Sequence, residues 1–81
     1  MAWVKYDLLT SDRKQIGDRL KAARIDAGMT RKQAAQAVGL FTHTSLWHYE
    51  TGRSCPSLPV FHRLCKAYGV SMDKLLRGIG L

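Results

Sequence analysis

Apolar residues recur along this chain at helical intervals, in short runs punctuated by glycine. Ile16, Leu20, Ala23 and Ala27 fall at steps of three and four, and Gly28 follows. Thr10, Ser11 and Asp12 offer an N-cap ahead of that run, and Asp12 with Gln15 has the capping-box spacing. Thr30 with Gln33 repeats that spacing before Ala34, Ala35 and Val38, and Gly39 stops a second helix of about 31–38. A third helix, about 43–51, ends at Gly52. Thr42, Thr44 and Ser45 are its candidate caps, and Thr42 is preferred because it turns Leu46 and Tyr49 inward. Ser57 caps a fourth helix, with Pro59 tolerated in its first turn. Leu58, Phe61, Leu64, Cys65 and Tyr68 form its apolar face, and Gly69 closes it. Ser71 caps a fifth, which carries Met72, Leu75 and Leu76 and ends at Gly78.

The pattern predicts an all-α, five-helix domain over residues 12–81 behind a short N-terminal extension, residues 1–11. Within the extension WVKYDLL is open to two readings. Trp3, Tyr6 and Leu9 lie at helical spacing, while Val4 and Tyr6 also suit a short strand or arm. Its rings make it a candidate docking or dimer segment.

Charge then narrows the function. Thirteen Lys and Arg against six acidic residues give +7, which in so small a domain favours a polyanionic partner. No apolar run is long enough to span a membrane, and the start lacks the pattern of a signal peptide, so a cytoplasmic protein is expected. Cys55 and Cys65 form no CxxC pair and are expected as free thiols. His43 and His48 stand five apart and do not share a helix face, and His62 with Cys65 is a single pair, so no metal site is expected. No paired carboxylates and no nucleophile–base cluster appear, so the chain is not expected to be an enzyme or to need a cofactor.

The stretch from Thr30 to Gly52 carries the most information. Small Ala35, turn residue Gly39 and branched Leu46 are what two steeply crossing helices need. The first permits close backbones, the second a positive φ, and the third an anchor. On the third helix, residues 42, 45, 46, 49 and 50 make one stripe, and residues 43, 44, 47 and 48 the other. His43, Thr44, Trp47 and His48 therefore face away from the core, unless Trp47 folds back over Phe41 or packs on a second subunit.

In the order and spacing of these parts the chain resembles the lambda-repressor-like (Cro/C1-type, XRE) family of helix-turn-helix regulators. The likeness runs from about Ile16 to Gly78. It includes IGDRLKAARIDAGMT, RKQAAQAVG and SLWHYETGR, and Glu50, Gly52, Arg53, Pro56 and Ser57 of an E-x-G-R-x-x-P-S pattern. The chain departs from the family at Ala34, where a leucine is usual, and at Arg31, where a glutamine is common. Gly39 and Leu46 are seven apart, one more than usual, so either Leu40 or Phe41 is inserted in the turn.

The resemblance implies a sequence-specific regulator of transcription that binds double-stranded DNA, a repressor acting as a homodimer on a pseudo-palindromic operator. The setting would be a prokaryote, phage or plasmid. It implies base contacts by His43, Thr44, Trp47 and His48 in the major groove. It implies phosphate contacts by Thr30, Arg31 and Lys32, by Thr42, and by Thr51 and Arg53. It also implies an ion pair between Glu50, the one glutamate, and Arg24. The dimer contact is expected from the fifth helix and its tail. No small-molecule effector is expected. An antitoxin-like protein-interaction module on the same fold, and an RNA-binding module, are the alternatives.

Overall fold

A computed structural model describes residues 5–40 and 42–79, with side chains from residue 12 onward. Five α-helices follow one another: α1 (Lys5–Asp26), α2 (Arg31–Ala37), α3 (His43–Glu50), α4 (Leu58–Tyr68) and α5 (Met72–Leu76). No strand occurs among the described residues. α1 packs on α3, α4 and α5, and α2 packs on α3 and α4. Leu20, Ala34, Val38, Leu46, Phe61, Leu64, Cys65, Tyr68 and Leu75 form the core where these elements meet.

The local signals placed the later helices well. Thr30 accepts from the Gln33 amide and Gln33 answers the Thr30 amide, a complete capping box. Ser71 accepts from the Lys74 amide. Thr42 and Ser57 occupy the N-cap positions of α3 and α4 with extended backbones, but neither side chain makes a capping bond. Gly28, Gly39, Gly52, Gly69 and Gly78 all adopt positive φ, which explains why each stops a helix.

Three expectations fail. α1 begins at Lys5, so Asp12 lies inside the helix and the Asp12–Gln15 spacing is no cap. Nothing in KYDLLTSD is a Gly or Pro, so the helix continues through residues that elsewhere start one. That resolves the extension as helical from Lys5, while Trp3 and Val4 lie outside the described residues. Leu58 does not join the apolar face of α4, since it is 70% exposed. It is the first residue of α4 and overhangs the core, lining a shallow groove of about 290 Å³ with Ile16, Cys55, Pro56, Phe61 and Leu76. Ala27 likewise lies exposed in the turn after α1.

One close approach sets how α1 and α3 cross. A Cβ on Gly17 would lie 2.4 Å from the Tyr49 carbonyl oxygen and 2.8 Å from that of Glu50. At Gly52 the ideal Cβ would lie 3.0 Å from the Lys14 Cα. The two backbones therefore touch, with no side-chain layer between them. Arg13 Nε adds a 3.4 Å bond to the Gly52 carbonyl, a cation at the negative end of α3. At the other end of the domain, Arg19 Nη1 donates to the Leu75 carbonyl at 2.8 Å and to that of Arg77, tying the exit of α5 to α1.

Both cysteines are free, Cys55 exposed and Cys65 buried. Burial pushes the Cys65 thiol above its ordinary range. A disulfide reagent should therefore titrate Cys55 promptly in the native protein and Cys65 only on unfolding. Two equally fast thiols would show that the core opens far more readily than its packing implies.

Candidate nucleic-acid interface

α3 is built so that one side holds the fold and the other meets solvent. Leu46 is fully buried and Glu50 is 3% exposed, with Tyr49 half-buried against the core. His43 and Thr44 are exposed, and Trp47 is 38% exposed. His48 is half-buried. Thr42, grouped by spacing with the inward stripe, is exposed as the N-cap. Leu40 packs against the core, and Phe41 lies outside the described residues.

The outward groups gather in two places. Near the C-terminal end, the Trp47 and His48 rings are 5.5 Å apart, and the Arg53 guanidinium sits 5.4 Å over the Trp47 ring. That distance is within cation–π range, so Arg53 has a preferred seat beside the indole. Near the N-terminal end, Lys32, Thr42, His43 and Thr44 line a cleft of about 320 Å³ between α2 and α3. The Thr51 hydroxyl donates to the Trp47 carbonyl at 2.9 Å, so its proton is directed to its own helix. Thr30 Oγ1 accepts within its capping box at 3.1 Å, leaving its O–H free to donate outward.

The electrostatics of this face are one-signed. Between Ala27 and Met72 the only acidic residue is Glu50, and it is buried. Among the described residues the exposed acids are Asp18 and Asp26 on α1 and Asp73 on α5; Asp18 pairs one turn away with Lys14, and Asp73 with Arg77. Lys32 and Arg53 are thus exposed cations on a face without an exposed carboxylate among the described residues.

Behind the face, Glu50 is held from two sides. Arg24 Nε donates to its Oε2 at 2.7 Å and Arg24 Nη2 to its Oε1 at 3.3 Å. The remaining Arg24 Nη1 reaches the Met29 carbonyl at 2.8 Å, so this arginine joins α1, the turn after it, and α3. Arg31 Nε also donates to Glu50 Oε1, at 3.0 Å. The sequence places Arg31 among solvent-facing phosphate ligands; the structure engages it with the carboxylate as well. No sequence signal marks this, because an arginine in the first turn of a helix reads as a solvated charge. Gly17 likewise carries no sequence signal, because its partner is a backbone distant in sequence. Tyr68 lies in the same neighbourhood, and its buried hydroxyl has no hydrogen-bond partner among the described residues. Burial first, and then the Glu50 charge, hold that hydroxyl well above the ordinary tyrosine range, against a lowering by Arg24.

No group of three or more metal-ligating side chains occurs among the described residues. No helix among them is long and apolar enough to cross a membrane.

Comparison with known proteins agrees with this geometry. Residues 15–77 match the family described as Helix-turn-helix domain. Among solved structures, the clp gene regulator ClgR from C. glutamicum superposes with a TM-score of 0.75 at 29% identity, covering 80% of this chain and 82% of that one. No curated protein matches the sequence. With the five-helix lambda-repressor-like architecture and the family match together, the chain belongs to the XRE-like helix-turn-helix family of DNA-binding transcriptional regulators.

Proposed function

We propose that this protein is a sequence-specific repressor that binds a pseudo-palindromic operator as a homodimer in the cytoplasm. The observation that carries the reading is the outward face of α3, where His43, Thr44, Trp47 and His48 stand on a surface free, among the described residues, of exposed carboxylates. The major groove admits a helix, and these side chains suit base edges. Each imidazole can donate and accept, Thr44 adds a hydroxyl and a methyl, and Trp47 adds an apolar ring with one N–H. Thr30, Arg31, Lys32, Thr42 and Arg53 flank that edge and take phosphates on either side of the groove, and Thr51 joins them by turning its hydroxyl away from the Trp47 carbonyl. A single short helix reads few bases, so two copies on adjacent half-sites supply the rest. The neighbour ClgR is itself named as a gene regulator, which supports the regulatory role.

The test is selection from random duplexes, using wild type and single variants. An enriched inverted repeat is expected. Trp47→Ala and His48→Ala should relax preference at particular base pairs, by about 1–3 kcal/mol each for a lost direct contact. Arg53→Ala should weaken all duplexes alike and flatten the salt dependence. A selection that enriches no motif would sink the reading.

A further inference from the structure

We propose that Glu50 is a positioning residue for Arg31, holding its guanidinium so that the outer N–H groups take a backbone phosphate of the bound duplex. The Glu50 carboxylate is 1% exposed and receives two arginines. Arg24 is 9% exposed, and all three of its side-chain nitrogens already donate inward. Arg31 is 34% exposed, and among the described residues its one polar contact is the Nε bond to Glu50. Two cations on one anion leave a surplus positive charge, and it sits on the arginine that solvent reaches.

The chemistry of the guanidinium makes this division of labour workable. It presents five N–H donors in a rigid fork. One edge holds the carboxylate through Nε while the Nη donors remain for a phosphodiester oxygen. A lysine offers three rotatable donors at a single point on a flexible stem, so holding Glu50 does not aim a second edge at the phosphate. Glu50 is the last residue of α3 and Arg31 the first of α2, so the same carboxylate that seats the end of the outward-facing helix also aims the charge beside it. The inference rests on the reading of duplex DNA as the partner, and it assigns Glu50 a task that its pairing with Arg24 does not require.

The experiment measures affinity and salt slope on the selected duplex for wild type, Arg31→Ala, Arg31→Lys, Glu50→Gln, and Glu50→Gln combined with Arg31→Lys. Arg31→Ala should weaken binding about tenfold and reduce the salt slope by about 0.9, one phosphate's worth. Arg31→Lys should lose about fivefold although the charge is kept, because the fork is gone. In the Glu50→Gln background the same Arg31→Lys change should cost less than about twofold, because the carboxylate no longer aims that side chain. An Arg31→Lys effect equal in both backgrounds would show that Glu50 merely supports the fold. Phosphate-ethylation interference keeps the test sharp if Glu50→Gln does not fold. Wild type should show a phosphate per half-site that stops interfering in both Arg31→Ala and Arg31→Lys, and its persistence in both overturns the proposal. Failure of wild type to bind any duplex overturns the DNA reading itself. Duplex binding with Arg31→Lys equal to wild type overturns only the role of Glu50.

Discussion

Arg24→Ala is expected to cost the domain about 3–5 kcal/mol, the usual penalty for leaving half of a buried ion pair behind. The Glu50 side chain is 1% exposed, so water does not replace the two Arg24 bonds freely. The Met29 carbonyl loses its donor in the same step. Arg31 remains, but it supplies a single bond from a partly exposed position. For a domain this small, about 4–8 °C of Tm per kcal/mol implies a drop of about 12–40 °C. Urea or thermal unfolding measures it directly. Adding Glu50→Gln to Arg24→Ala should restore part of the loss, because the stranded charge is removed with its partner. A single Arg24→Ala variant within about 1 kcal/mol of wild type would mean that Arg31 alone satisfies the carboxylate.

Gly17→Ala is the second large effect, and its sign is the informative part. Alanine is the better helix former by about 1 kcal/mol, so local preference alone predicts a stabilised protein. The added Cβ, however, would lie 2.4 Å from the Tyr49 carbonyl oxygen and 2.9 Å from the Glu50 carbonyl carbon. These are backbone atoms, which no rotamer change moves aside. α1 and α3 must separate, and Leu20, Arg24 and Leu46 lose packing together. Destabilisation of about 3 kcal/mol is expected, at the upper end for overpacking. DNA affinity should fall in the folded fraction too, because the seating of α3 on α1 changes. An unfolding midpoint equal to wild type or higher would refute the close crossing.

These two positions show where the sequence was legible and where it was not. Glycine stops and the Thr30–Gln33 box were readable because each is settled within a few residues by backbone geometry. The inward anchor Leu46 was readable from spacing, since a helix repeats its faces. The start of α1 was misread because Thr, Ser and Asp cap helices yet also tolerate their interiors, and the deciding absence of a breaker lies upstream. Leu58 was misread because periodicity says which way a residue points and not whether a neighbour covers it there. Gly17 and the Arg31–Glu50 bond needed the third dimension outright. Arg24 and Glu50 were paired from family resemblance, and the structure brings them together at 2.7 Å.

The division of α3 into two sides has an evolutionary consequence. Leu46 and Glu50 answer to the fold, while His43, Thr44 and Trp47 project into solvent. Substitutions at His43 and Thr44 are nearly free of a folding penalty, since exposed positions usually shift stability by no more than about 0.5 kcal/mol, and Trp47 gives up only its contacts with His48 and Arg53. Selection can therefore rewrite the address that this helix reads while the scaffold beneath it stands still. A lineage of such proteins can diverge in target without first having to recover lost stability.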